Sequence, residues 1–159
     1  MLACRFWSRG FVAMLSDHQL IAVSNYAEPR PRRLARVPSD TLHSWTVIPS
    51  VEALSRSVEV LLAVGQTIFV VDSTDAEDRV LPNGPFKHIA ASPNGFYLAL
   101  YAEEGKIWII TSDFQNKLGE YESETKTVPN DVLWCGNEAV LLAWEDEVHM
   151  IGHTGSVLK

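Results

Sequence analysis

The sequence predicts an all-β fold: a partial, open β-propeller of about four blades, WD-repeat-like but without the WD signature. Helix signals are almost absent, since no long segment places apolar residues at helical spacing between capping residues. Strand hairpins occur throughout the chain. Their second strands begin at Gln19, Thr67, Lys106 and Glu147, at intervals of 48, 39 and 41 residues. Periods near 40 in an all-β chain are typical of four-stranded propeller blades.

Each predicted hairpin joins two apolar runs across a short turn. The paired runs are Phe11–Leu15 with Gln19–Tyr26, Val58–Val64 with Thr67–Asp72, Phe96–Ala102 with Lys106–Ser112, and Glu138–Trp144 with Glu147–His153. Gly65-Gln66 suits a type II′ turn because glycine accepts a positive φ, and Glu103-Glu104-Gly105 suits a three-residue turn closed by a bulge. Ser92-Pro93-Asn94-Gly95 is a further turn signal and resembles the blade turn of WD-like propellers.

One more strand is predicted before each hairpin and a more polar one after it. The preceding strands are Thr41–Ile48, Phe86–Ser92 and Asp131–Cys135, and the following ones are Arg32–Val37, Arg79–Leu81 and Lys117–Glu122. A polar last strand suits the outer edge of a blade, where charges oppose edge pairing. We therefore expect a single propeller segment with blades at about 1-37, 41-81, 86-122 and 131-159, the last stopping where its outer strand would begin.

Length and composition restrict the class of protein. The chain has 159 residues, of which 47% are apolar and 21% charged; these values suit one folded domain and exclude a disordered tail. No apolar run approaches the roughly 18 residues of a transmembrane helix, and two cysteines are too few for a disulfide scaffold. Arg5 and Arg9 precede any acidic residue, as in a mitochondrial presequence. We favour the alternative that these first residues are already strands.

Charge is unevenly distributed along the chain. Residues 1–60 carry seven Arg and five acidic residues (net +2), and residues 61–159 carry six basic and fifteen acidic residues (net −9). Arg30, Arg32, Arg33 and Arg36 surround two prolines; such a cluster binds the phosphates of lipid or nucleic acid, or is a solvated loop. We favour the loop and keep Arg30, Arg32 and Arg33 as interaction candidates. No nucleic-acid partner is expected, because the chain is acidic and carries no zinc-finger or RNA-binding motif.

No catalytic, cofactor or metal site is predicted. His149 and His153 lie four apart and follow Glu145, but a strand separates the two histidines by about 13 Å, so two exposed strand histidines are expected. The acidic stretch 72–78 lacks the spacing of a calcium loop and is predicted to be a solvated loop. Cys135 lies in an apolar strand, which predicts a buried, unreactive thiol. No nucleophile elbow or phosphate-binding glycine loop occurs in the sequence.

The five tryptophans lie mostly at predicted strand positions. Packing between neighbouring blades explains such residues without a ligand. Trp144 ends a predicted strand and is kept as a candidate for an interface with a partner.

Several stretches, taken in order, carry a family resemblance. They are Trp45-Thr46-Val47 followed by Leu61-Leu62-Ala63-Val64-Gly65, Leu98-Ala99-Leu100 followed by Gly105-Lys106-Ile107-Trp108, Lys117-Leu118-Gly119-Glu120-Tyr121, and Val132-Leu133-Trp134-Cys135 followed by Ala143-Trp144-Glu145 and Ile151-Gly152. This set resembles the N-terminal propeller region of the vacuolar protein sorting-associated protein 16 family. The resemblance extends over nearly the whole chain and is strongest over residues 45–152.

The resemblance implies a non-enzymatic scaffold segment of an endosome/vacuole (lysosome) membrane-tethering complex of the HOPS/CORVET type, acting in vesicle transport and vacuolar fusion. It implies protein partners among the other tethering subunits, no cofactor, and a cytoplasmic location peripheral to endosome and vacuole or lysosome membranes. Family members are several times longer and bind a Sec/Munc-like subunit through a C-terminal α-solenoid. The sequence shows no helical repeat, so no residue is given that role, and we expect a wedge of a larger ring.

Two other functions remain open. One is a small complete propeller that binds a ligand, or acts as an enzyme, at its central channel; paired acids at equivalent blade positions would favour it, and the sequence shows none. The other is a WD-like nuclear or RNA-associated scaffold, against which the acidic charge of residues 61–159 argues. An open array also predicts two apolar blade faces exposed at its ends.

Overall fold

We describe the fold from a computed structural model of the chain. The structure describes residues 3–6, 10–15, 19–23, 27, 31–36, 41–48, 58–72, 75–81, 84–123, 127–152 and 157–158. Within these ranges all regular elements are β-strands, and there is no helix long and apolar enough to cross a membrane. The strands form four separate four-stranded antiparallel sheets, which confirms the predicted fold class, a partial and open propeller.

The first two sheets, blades 1 and 2, run in chain order from their first to their last strand. The strands of blade 1 are β1 (Ala3–Phe6), β2 (Phe11–Met14), β3 (Leu20–Val23) and β4 (Arg32–Arg33). The strands of blade 2 are β5 (Leu42–Ile48), β6 (Glu59–Val64), β7 (Thr67–Val71) and β8 (Ala76–Asp78).

Blades 3 and 4 repeat this order. The strands of blade 3 are β9 (Phe86–Ala91), β10 (Tyr97–Ala102), β11 (Lys106–Thr111) and β12 (Lys117–Glu122). The strands of blade 4 are β13 (Asp131–Cys135), β14 (Ala139–Ala143), β15 (Val148–Gly152) and β16 (Val157–Leu158). We call the first strand of each blade its inner strand and the fourth its outer strand.

The turns that join the middle strands follow the glycine signals. Gly65 has φ 56° and Gly105 has φ 98°, so both adopt the left-handed backbone that those turns require. In the turn before β10, Gly95 also has a positive φ, 74°. Because these turns fix the register of each hairpin, the alternation of side chains between the two faces of each blade is fixed with them.

Alternating side chains of each blade pack against different neighbours. In blade 2, Leu62 faces blade 1 in the first core cluster, and Leu61 faces blade 3 in the second. In blade 3, Leu100 belongs to the second cluster and Ala99 to the third, which blade 4 completes. We call the face toward the preceding blade trailing and the face toward the following blade leading. Each cluster is thus a leading face packed on a trailing face.

One glycine permits the close approach of blades 2 and 3. A Cβ atom on Gly84, just before β9, would overlap the backbone carbonyl of Gln66, which lies in the turn between β6 and β7. A side chain at position 84 is therefore incompatible with the observed junction.

Three sequence predictions about outer strands need correction. The sequence predicts the outer strand of blade 2 at Arg79–Leu81, but the strand is β8, which lies inside the acidic stretch predicted to be a loop. Glu77 of β8 pairs with Val70. The outer strand of blade 1 is shorter than predicted. Blade 4 does possess an outer strand, because Val157 pairs with Ile151. A strand of two or three residues is too short for periodicity to locate it.

Candidate interaction sites

The inner strands of all four blades line a groove of about 650 Å³. Ser44, His88 and Asp131 hold equivalent register positions on β5, β9 and β13. Arg5 from β1 and His43 and Thr46 from β5 add further polar side chains to the wall. The groove is the channel side of the open propeller.

Two side-chain hydrogen bonds in this groove join neighbouring blades. The Ser44 hydroxyl of blade 2 accepts a hydrogen bond of 3.2 Å from the backbone N–H of Ile89 in blade 3. The Trp134 indole Nε1 of blade 4 donates to the carbonyl of Ala90 in blade 3 at 3.0 Å. Tyr97 stacks on Trp134, with ring centroids 6.1 Å apart. These groove residues therefore stabilise the alignment of inner strands.

The two histidines of the groove, His43 and His88, also contact neighbouring polar groups. His88 Nε2 donates to the carbonyl of Pro129, just before blade 4, at 2.8 Å. Lys87 Nζ lies 3.5 Å from His43 Nδ1 and 3.5 Å from a carboxylate oxygen of Glu103. Among the described residues that line the groove, Asp131 is the one carboxylate, so the acid pair of a hydrolytic channel is not formed there.

Arg5 is the exposed cation of the groove wall. Its guanidinium carbon lies 5.1 Å from the centroid of the Trp45 ring, which is a cation–π contact between blades 1 and 2. Arg5 remains exposed in the groove wall, where its charge favours an anionic group over a cationic one.

A basic edge is formed by the outer strand of blade 1. Arg32 and Arg33 make up β4, and both are exposed. Arg36 instead donates from Nε to the side-chain oxygen of Gln19 at 2.7 Å, and Gln19 is 5% exposed. Arg30 lies outside the described residues. Arg32 and Arg33 thus present their charge on the edge, and Arg36, which is also exposed, lies just beyond the strand.

The outer edges of blades 2 and 3 are acidic by contrast. Glu77 and Asp78 occupy β8, and Glu120 and Glu122 occupy β12. The hydrogen bond that Lys117 Nζ donates at 2.8 Å lowers the pKa of Glu120 from its ordinary value. Among the described outer strands, only that of blade 1 carries positive charge without negative charge.

Trp144 borders a pocket of about 370 Å³ at the end of β14. Its indole Nε1 donates to the carbonyl of Thr127 at 2.9 Å, and its ring centroid lies 4.9 Å from that of His149. The acidic turn Glu145–Glu147 forms the remaining wall with neighbouring loop residues. The indole N–H is satisfied inside the chain, and the edge of the ring remains partly accessible.

His149 is buried, which corrects the expectation of an exposed strand histidine. It is 2% exposed and holds the trailing position that Phe69 and Trp108 hold in blades 2 and 3. Tyr121 OH lies 3.3 Å from its Nδ1, and a carboxylate oxygen of Glu147 lies 3.3 Å from its Nε2. No group of potential metal ligands occurs among the described residues. His153 lies outside them.

Cys135 is exposed, so the prediction of a buried thiol is wrong. It pairs with Ala139 at the end of β13 and lies on the leading face of blade 4, on which none of the other described blades packs. The sequence shows that the strand is apolar, but burial depends on whether that face is covered.

The candidate residues lie at the two ends of the array. Arg32 and Arg33 belong to blade 1 and Trp144 to blade 4, and none of the three core clusters contains residues from both blades. Two exposed apolar residues of blade 4 were not singled out from the sequence: Leu133 is 52% and Val148 is 55% exposed. When the hairpin repeats of the sequence are aligned, Val148 falls at the position of Ile68 and Ile107, which are buried. This alignment is the sequence signal that would have identified Val148 as an interface residue.

The four sheets packed in chain order define an open array of β-propeller blades. A family model for the Vps16 N-terminal region matches residues 2–159, and the chain belongs to this family.

Curated relatives agree with this assignment. The probable vacuolar protein sorting-associated protein 16 homolog of Schizosaccharomyces pombe is 30% identical, with 96% of this chain and 19% of that protein matched. Protein VACUOLELESS1 of Arabidopsis thaliana is 29% identical over 98% of this chain and 21% of its own length. The chain therefore spans about a fifth of these relatives.

Solved structures show the same fold. The Hsv2 protein of Kluyveromyces lactis matches with a TM-score of 0.64 at 12% identity, over 94% of this chain and 55% of that one. The Cps50 (Swd1) beta-propeller domain of Myceliophteria thermophila matches with a TM-score of 0.62 at 14% identity, over 97% and 56%. At such identities the likeness concerns the fold alone.

Proposed function

We propose that this chain is a non-catalytic scaffold segment of an endosome/vacuole tethering complex of the HOPS/CORVET type. The observation that carries the proposal is the match of the Vps16 N-terminal family over residues 2–159, together with the vacuolar sorting names of its relatives. The segment acts in vesicle transport and vacuolar fusion by recognition between packed surfaces, and no bond is made or broken.

The chemistry of the groove supports a scaffold over an enzyme. Ser44 and Trp134 each bond to backbone groups of blade 3, and His88 bonds to a backbone carbonyl. Side chains that already make such bonds contribute to the stability of the array, because breaking the bonds leaves partly buried polar groups unpaired. Catalysis needs groups that are available to the substrate.

The partners are other subunits of the complex, and membrane association is peripheral and passes through them. Arg32, Arg33 and Trp144 are the described candidates for these contacts; Arg30 is a further candidate from the sequence. A basic edge on an otherwise acidic chain favours an acidic protein surface over a nucleic acid, because the net charge of −7 repels a long polyanion.

The test is co-purification of tagged full-length protein from cells that lack the native copy, with subunits identified by mass spectrometry and vacuole fusion scored in parallel. We expect recovery of the tethering subunits and rescue of fusion. Arg32→Glu with Arg33→Glu should reduce recovery, and the matched control, Glu77→Arg with Asp78→Arg on the outer strand of blade 2, should not. Recovery of none of these subunits, with fusion intact after deletion, would contradict the proposal.

The groove favours one second candidate, a binding site for a small anionic ligand. Its volume and the exposed charge of Arg5 are the observations in its favour. A saturable rise in melting temperature with small carboxylates or phosphates, abolished by Arg5→Gln, would support this function. If the melting temperature does not rise with any of these ligands, binding of a small anion in the groove is excluded and the scaffold function is the one that remains.

A further inference from the structure

The pocket of about 370 Å³ beside Trp144, which we call the Trp144 recess, combines apolar and acidic groups. It lies where the connection before β13 meets the turn between β14 and β15. Trp144 and Val128 supply apolar surface, and Val128 is 38% exposed. Glu145, Asp146 and Glu147 are exposed and add three carboxylates to the lining. An apolar wall and negative charge therefore meet in one concave site.

The Trp144 recess lies on the side of blade 4 that faces blade 3. Trp144 packs against the core cluster that these two blades share, so its access does not depend on the leading face of blade 4. The equivalent turns of blades 2 and 3 each have a following blade packed beside them, and Gln66, Glu103 and Glu104 in these turns are exposed. Turns at this end of the blades thus stay accessible when the next blade is in place.

Backbone hydrogen-bond partners hold the recess in shape. The Trp144 indole Nε1 donates to the carbonyl of Thr127 at 2.9 Å, and the N–H of Asn130 donates to the carbonyl of Ala143 at 2.7 Å. Because the indole N–H is already used, the accessible part of the ring offers a ligand apolar contact and no donor. A wall that is fixed before binding lowers the entropic cost of complex formation.

We propose that the Trp144 recess binds an arginine side chain of a basic, extended segment in a partner protein. The methylene stem of arginine packs on Val128 and on the ring of Trp144, and its guanidinium meets the carboxylates of the turn 145–147. Arginine is favoured over lysine because its planar fork binds a carboxylate through two hydrogen bonds. The inference rests on the proposed function, in which Trp144 is a candidate contact, and adds the chemistry of the partner.

Charge and size restrict the occupant further. Residues 61–159 carry a net charge of −9, which repels the phosphates of a nucleic acid or of an anionic lipid and attracts a basic peptide. The volume of about 370 Å³ is near the lower end of the range of about 300–1,000 Å³ for ligand pockets. The recess therefore suits one long side chain better than a large cofactor.

The experiment is an NMR titration of the nitrogen-15-labelled 159-residue chain with the peptide acetyl-Gly-Arg-Gly-Arg-Gly-amide at low salt. We expect saturable shifts of the Trp144 indole N–H and of the backbone amides in 127–130 and 145–147. The same peptide with citrulline in place of arginine keeps the size and removes the charge. It should bind with a dissociation constant raised about fivefold or more.

Two pairs of variants separate the recess from general attraction between opposite charges. Glu145→Gln with Asp146→Asn removes two carboxylates from the recess and should raise the dissociation constant about fivefold. The matched control, Glu103→Gln with Glu104→Gln, removes the same charge from the equivalent turn of blade 3 and should leave binding nearly unchanged. Val128→Ser should weaken binding about threefold through lost apolar contact, with an unchanged circular dichroism spectrum because the side chain is exposed.

Shifts that do not saturate, equal binding of the citrulline peptide, or equal weakening by the control pair would each overturn the inference. Its failure is distinguishable from that of the proposed function. Binding of the arginine peptide without recovery of tethering subunits from cells contradicts the tethering role alone. Recovery of those subunits without binding of the peptide contradicts the arginine site alone.

Discussion

The Trp134 indole N–H of blade 4 donates a 3.0 Å hydrogen bond to the Ala90 carbonyl of blade 3. Trp134→Phe removes the donor and leaves that carbonyl short of a partner, so we expect a loss of about 1–2 kcal/mol in the free energy of unfolding. Urea denaturation measures it. Leu133→Ala, one residue earlier on the same strand and exposed, should change the midpoint little; equal losses in both variants would contradict the role assigned to the indole.

Gly84 is expected to tolerate no side chain. Gly84→Ala places a Cβ against the Gln66 carbonyl and should destabilise the chain by about 2 kcal/mol, the range of overpacked sites. Thermal unfolding followed by circular dichroism measures the change. Because the contact is with backbone, Gln66→Ala should have little effect. An unchanged melting temperature for Gly84→Ala would show that the two blades can move apart at no cost.

Val80 adopts a backbone conformation that suits another residue type. Its φ is 49°, and its side chain is 77% exposed. Asn adopts this left-handed region at a lower energetic cost than a β-branched residue. Val80→Asn should therefore raise the free energy of unfolding by about 1 kcal/mol. Val128→Asn, at an exposed valine without a positive φ, provides the comparison in urea unfolding. A gain of the same size at position 128 would assign the effect to polarity and not to backbone strain.

The hydrogen bonds of Asp113 lead us to expect that the free energy of unfolding falls in acid. The Thr111 hydroxyl donates to Asp113 at 2.6 Å and the Gln115 N–H donates at 2.9 Å, and these bonds lower the pKa of Asp113 from its ordinary value of 3.8. Because the folded pKa is the lower one, the contribution is fully present above about pH 3.8 and is lost as pH falls through the folded pKa.

Asp113→Asn keeps the shape of the side chain and removes its titration. We expect this variant to be less stable than the native chain near neutral pH, and the difference between their urea midpoints to shrink at about pH 3. A difference that stays constant with pH would exclude Asp113 as a source of the acid sensitivity.

The middle hairpins were predictable because their physical determinants are local. Gly65 and Gly105 set the turns, and the two-residue period of a β-strand sets which side chains share a face. The period of the hairpins then indicates the blades. Sequence periodicity does not locate the outer strand β8, because three residues that include Glu77 and Asp78 carry no apolar alternation. Their pairing with β7 rests on backbone hydrogen bonds and on one side-chain bond, which the Thr67 hydroxyl donates to Asp78 at 2.7 Å.

The errors at His149 and Cys135 have one physical cause. Alternation assigns each residue to a face, but it does not reveal which face has a neighbour. His149 belongs to the trailing face that packs on blade 3, where Tyr121 and Glu147 contact it. Cys135 belongs to the leading face, which none of the described blades covers. Candidate interaction residues depend on exposure, so sequence alone identifies them less well than it identifies the strands.

The three core clusters each draw on two consecutive blades. Blades 2 and 3 contribute to two clusters, and blades 1 and 4 contribute to one. The stability of this array is therefore a sum of interfaces between consecutive blades. Blades 1 and 4 share one such interface each, so their folding depends on fewer contacts than that of blades 2 and 3. A core substitution in blade 2 or blade 3 should therefore disturb two of these clusters at once, whereas one in blade 1 or blade 4 should disturb a single cluster among the described residues.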